Sequence, residues 1–101
     1  MPTRVYLNEI FETVAKRYSM SVEELLGRSS KREFVEPRSV AIYLCRHITS
    51  ASLQVIADRV GRDHSTVFHG CRKIERQRVV NADLDRVIVA LIAELRALRA
   101  A

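Results

Sequence analysis

The chain has 101 residues, 48% of them apolar, with 17 Lys or Arg against 12 Asp or Glu, a net charge of +5 and a pI near 9.8. Its 29% charged fraction, with only three Gly and two Pro, excludes a disordered chain, and its length suits one unstapled core. The longest apolar run, Val87 to Ala93, is far short of the roughly 20 residues of a membrane span, and no secretory leader pattern is visible.

Leu7, Ile10, Phe11, Val14 and Ala15 recur at helical spacing and predict a first helix that fades near Tyr18. Ser21 is an N-cap for a short second helix, with Glu23 and Glu24 in its first turn, Leu25 and Leu26 behind them, and Gly27 at its end. The polar stretch Arg28-Ser29-Ser30-Lys31-Arg32-Glu33 reads as a loop. Pro37 then suits the first position of a third helix, where a missing N–H costs nothing. Val40, Ala41, Leu44, Cys45 and Ile48 form its apolar face. Ser50 or Ser52 caps a fourth helix carrying Leu53, Ile56, Ala57 and Val60, and Gly61 suits the left-handed residue that closes it. Asp63 caps a fifth helix, which buries Val67, Cys71 and Ile74 and runs to about Arg78. Asn81 to Asp83 form a turn before a sixth helix over 84–101. The expectation is one all-α, six-helix domain over residues 1–101.

The charge is unevenly placed. Residues 28–78 hold eleven bases and five acids, a surplus of six, whereas the two flanks together carry a net charge of −1. A basic patch on a small domain points most often to nucleic acid, and sometimes to an acidic protein or a membrane surface. The fourth and fifth helices, joined by a short Gly-containing turn, have the outline of a helix-turn-helix. In that arrangement the second helix buries one face and offers its N-terminal residues to base edges in the major groove. Here those residues are Asp63, His64, Ser65 and Thr66, all able to hydrogen-bond. Arg59, Arg62, Arg72, Lys73 and Arg76 flank the turn and suit phosphates.

The string from Ser52-Leu53-Gln54 through Gly61-Arg62-Asp63-His64-Ser65-Thr66-Val67 to Lys73-Ile74 resembles the signature of domain IV, the C-terminal DNA-binding domain, of the bacterial replication initiator DnaA. Pro37-Arg38 and Ala41-Ile42-Tyr43-Leu44 extend the likeness upstream, so that it covers about residues 6–78. It implies a Trp-repressor-like helix-turn-helix in which Asp63, His64, Ser65 and Thr66 enter the major groove of a DnaA box. It also implies that Leu53 and Gln54 lie beside them, that Arg38, Arg46 and Arg62 lie near the DNA backbone, and that His69 and Lys73 belong to the binding surface. A base from the loop before Pro37 would reach the minor groove. The family's Arg at that position is Ser30 here, leaving Lys31 or Arg32 to substitute if the loop shifts. The family commonly has Pro where Gln54 stands, Gln where Ser39 stands, and one more residue in the turn before Arg62.

The resulting expectation is a non-enzymatic, cytoplasmic protein of the bacterial nucleoid without metal or cofactor. It would bind double-stranded DNA at DnaA-box-like sites and modulate replication initiation or transcription. His64 and His69, five apart, lie on different helix faces, and Cys45 and Cys71 lie on apolar stripes, so neither a metal site nor a nucleophile is indicated. No phosphate-cradling Gly-rich loop is present, which reads as a free-standing relative or an excised domain. The alternative is an interaction module that regulates a DnaA-type initiator or its AAA+ regulators. Leu84, Ile88, Leu91, Leu95 and Leu98 support it: they alternate spacings of four and three, a seam that serves self-packing, a homodimer through residues 84–101 or a partner-protein surface. Phe68 is read either as core or as an apolar contact to DNA.

Overall fold

The apolar periodicity becomes six helices, with no strand among the described residues, in a computed structural model that describes the backbone of residues 3–100 and the side chains of residues 6–99. In chain order they are α1 (Thr3–Arg17), α2 (Val22–Leu26), α3 (Arg32–Ile48), α4 (Leu53–Val60), α5 (His64–Val80) and α6 (Ala82–Ala100). The all-α expectation is met.

Local chemistry sets most boundaries. Ser19, at φ 56°, closes α1 in the left-handed region, and the Met20 N–H donates back to the Ala15 carbonyl at 2.9 Å. Ser21 and Glu24 form a capping box on α2, each side chain accepting from the other's backbone N–H, at 3.0 and 2.9 Å. Gly27 ends α2 in an extended conformation. Ser52, not Ser50, caps α4 by accepting from the Val55 N–H at 3.2 Å. Asn81 is the single residue between α5 and α6. Its N–H donates to the Gln77 carbonyl, and its side-chain oxygen accepts from the Leu84 N–H at 3.0 Å.

The third helix corrects the sequence reading. It begins at Arg32, and Pro37 lies inside it. The Phe34 and Val35 N–H groups both donate to the Lys31 carbonyl, at 2.9 and 3.0 Å, so a full turn forms ahead of the proline. Pro37 is itself buried, and that burial offsets the hydrogen bond that its ring nitrogen cannot donate within the helix. The basic loop therefore shortens, and Arg32 rides on a helix.

The core is built around α3, which touches every other helix. Val40, Ala41, Leu44 and Cys45 are buried there with Leu7, Ile10, Phe11 and Val14 of α1, Ile56, Ala57 and Val60 of α4, and Val67 and Ile74 of α5. The leucine seam of α6 belongs to the same core: Leu84, Ile88, Leu91 and Leu95 are at most 5% exposed, packed over α1, α3 and α5. Of the expected seam only Leu98 stays exposed. A homodimer through residues 84–101 therefore loses its apolar stripe, which the domain itself already covers. None of the helices among the described residues is long and apolar enough to cross a membrane.

Candidate nucleic-acid interface

The turn between α4 and α5 is held by backbone and side chain together. Gly61 adopts φ 67° and ψ 35°, a region that costs an L side chain roughly 1–2 kcal/mol. The Arg62 N–H donates to the Ala57 carbonyl at 3.0 Å, closing α4. Asp63 caps α5: its Oδ1 accepts from the Thr66 N–H at 2.8 Å and from the Ser65 hydroxyl at 3.0 Å. These hydrogen bonds, the Thr66 amide first, hold the Asp63 carboxyl below the usual range.

The fifth helix buries Val67, Cys71 and Ile74 and leaves the opposite side open. Ser65, Thr66, His69, Arg72, Lys73 and Arg76 are all exposed there, a polar first turn followed by three bases. Among the described residues, none of those three bases forms an ion pair. Phe68 is 43% exposed rather than core; the Arg72 guanidinium lies 5.7 Å over its ring, and the His69 ring meets its edge. Lys73 also lines a groove with Ser30, Arg32 and Ser39, so the structure brings the basic loop beside the fifth helix. Lys31 and Arg32 are exposed on the rim formed by that loop and the start of α3.

A chain of hydrogen bonds ties α4 to the start of α5. His64 Nε2 lies 2.6 Å from Gln54 Oε1, and Gln54 Nε2 donates to Asp58 Oδ1 at 2.6 Å. All three side chains are exposed, whereas Leu53 is half-buried against the core. Asp58 was not among the residues singled out from sequence. Its i, i+4 spacing from Gln54 was the available signal.

Other predicted contacts point inward. Arg38 is buried: Nε donates to the Leu25 carbonyl at 2.8 Å and Nη1 to the Ser29 carbonyl at 2.9 Å, while Nη2 is buried with no partner among the described residues. Burial, then the nearby Arg62 charge, pushes its pKa down. Arg62 donates to the Val60 and Gly27 carbonyls at 2.8 and 2.7 Å. Arg59 grips Asn8 Oδ1 through two nitrogens, at 3.2 and 2.8 Å, and lies 5.0 Å over the Phe11 ring. Arg46 remains exposed and steadies the loop through the Ala51 carbonyl at 3.1 Å. The bases between residues 28 and 78 thus divide. Arg38, Arg59 and Arg62 brace the fold, as does Arg78 by pairing with Asp85 and donating to the Tyr43 hydroxyl, and the other seven stand at the surface.

Comparison with known proteins identifies the family and the fold. Residues 7–74 match the family described as bacterial dnaA protein helix-turn-helix. The chain is 38% identical over 92 residues to the chromosomal replication initiator protein DnaA of Lachnoclostridium phytofermentans, a match covering 90% of this chain and 20% of that protein. The DnaA of a Ruegeria species is 35% identical, over 93% of this chain and 20% of its own length. That of Brucella abortus is 45% identical over 75 residues, 73% of this chain and 15% of its own. The chain thus spans about a fifth of the length of such relatives. A crystal structure of a DNA replication initiation factor superposes with a TM-score of 0.83 and 34% identity, covering 92% of this chain and 29% of that one.

Proposed function

The chain belongs to the bacterial DnaA helix-turn-helix family, and on that premise we propose that it binds double-stranded DNA sequence-specifically, at DnaA-box-like sites. Occupying such sites would modulate replication initiation or transcription. The observation that carries the reading is the exposed side of α5: a capped, polar first turn that can reach base edges, continuous with Arg72, Lys73 and Arg76. In this reading Ser65 and Thr66 contact bases, with His64 beside them, and the three bases contact phosphates, which fix register without reading sequence. Asp63 serves mainly as the cap, since its Oδ1 already accepts twice. Lys31 and Arg32, beside the groove that Lys73 shares, are placed to follow the neighbouring backbone. Arg38 and Arg62 act through the fold, by pinning the end of α2 and the following loop.

The test is binding to a duplex containing a DnaA box and to a scrambled duplex, over a salt series. A preference for the box is expected, reduced in Thr66→Ala by roughly 1–3 kcal/mol. Failure to bind either duplex at low salt overturns DNA binding. Equal binding of both, with a steep salt slope, overturns sequence readout and leaves only phosphate contact.

A further inference from the structure

We propose that Gln54 and Asp58 are positioning residues that fix the tautomer of His64, leaving its Nδ1 as an acceptor that reads an exocyclic amine, adenine N6 or cytosine N4, in the major groove. The base-reading half rests on the DNA-binding reading above; the tautomer half does not.

The hydrogen bonds form a chain whose polarity is set at the Asp58 end. A carboxylate only accepts, so the Gln54 atom 2.6 Å from Asp58 Oδ1 must be the amide nitrogen. The amide oxygen then faces His64 Nε2 at 2.6 Å, and an amide oxygen also only accepts. His64 Nε2 must therefore carry the hydrogen. A neutral imidazole has one N–H, so Nδ1 is bare, and among the described residues it has no partner. Asp58 thus acts on His64 through Gln54, without touching it.

The consequence is a choice between base edges. Adenine and cytosine offer an amino group in the major groove where guanine and thymine offer a keto oxygen. A bare Nδ1 accepts from the former and repels the latter. Proline, the residue that the DnaA pattern commonly has in place of Gln54, has no side-chain amide and cannot build this relay. The relay therefore gives this chain a determinant of its own.

The tautomer is measured first, by long-range ¹H–¹⁵N NMR on the free chain at pH 8, where a free imidazole is neutral. We expect His64 Nε2 to show the shift of a protonated ring nitrogen and Nδ1 that of a bare one. Asp58→Asn supplies a residue that donates as well as accepts, so Gln54 is free to turn over, and the two tautomers should mix. Adding Gln54→Glu to Asp58→Asn restores an acceptor-only group beside Nε2 and should restore the single tautomer, a rescue that a merely structural role would not produce. Base reading is then measured by selection from duplexes with randomised positions. The unmodified chain should recover adenine or cytosine at one position with at least fivefold preference over guanine and thymine. Asp58→Asn should bring that ratio within twofold while other positions keep theirs. A hydrogen on His64 Nδ1 in the unmodified chain overturns the relay, as does a tautomer unmoved by Asp58→Asn. An intact relay with an unchanged base preference overturns the reading role. No binding of any duplex by the unmodified chain overturns DNA binding and the base reading with it, and the NMR result still decides the relay.

Discussion

Asp63 shows how one side chain at the start of α5 links folding to the surface the domain presents. Its Oδ1 holds the Thr66 N–H and the Ser65 hydroxyl, so the backbone of the first turn and one candidate reader share an anchor. The carboxyl titrates below its ordinary range because these hydrogen bonds favour the charged form, the Thr66 amide foremost. The sign of the pH effect follows. A depressed folded-state pKa contributes stability that is fully present above the unfolded carboxylate value and is lost as pH falls through the lowered one. Asp63→Asn keeps a capping oxygen that does not titrate. Thermal unfolding of the two proteins between pH 5 and pH 2 should therefore show a shallower acid decline in Asp63→Asn. Parallel declines would remove Asp63 from the acid response.

Among the elements, legibility followed how local the deciding chemistry was. Ser21, Gly61 and Asp63 announced their turns because capping needs only a few neighbouring residues, and the structure places each as expected. The start of α3 was hidden because burial of Pro37, a tertiary effect, outweighs its local veto on the helix. The inward turn of Arg38 and Arg59 was hidden for a related reason. Their acceptors, the Leu25 carbonyl and Asn8, lie on other helices, and nothing in the spacing of bases reveals them. The sixth helix had two readings because a leucine seam looks alike whether its partner is the same chain or another. Its burial makes a definite prediction. Leu91→Ala, at a site 1% exposed, should destabilise the domain by roughly 2–5 kcal/mol in urea denaturation. The midpoint should not depend on protein concentration; if it does, the seam is intermolecular after all.

For the whole molecule, the excess positive charge serves two purposes that composition cannot separate. Arg38, Arg59 and Arg62 donate to carbonyl oxygens and so keep their charge while bracing helix junctions, whereas Arg78 also pairs with Asp85 at 2.7 Å and donates to the Tyr43 hydroxyl at 2.9 Å. The surplus is therefore redistributed, with little of it cancelled. The cations free to meet phosphates are those at the surface, Arg72, Lys73 and Arg76 on α5 foremost. A phosphate contact releases condensed counterions, so each one lost flattens the slope of log K against log salt by about 0.9. Arg72→Ala, Lys73→Ala and Arg76→Ala should each flatten the slope by about that amount and leave unfolding nearly unchanged. Arg59→Ala and Arg78→Ala should do the reverse: a stability loss of about 1–3 kcal/mol from severed charged hydrogen bonds, with the slope preserved. Measuring both quantities on the same five variants separates the two groups. If Arg59→Ala flattens the slope as much as Lys73→Ala does, the division into bracing and DNA-facing bases fails, because Arg59 would then have to leave Asn8 and Phe11 to reach the duplex.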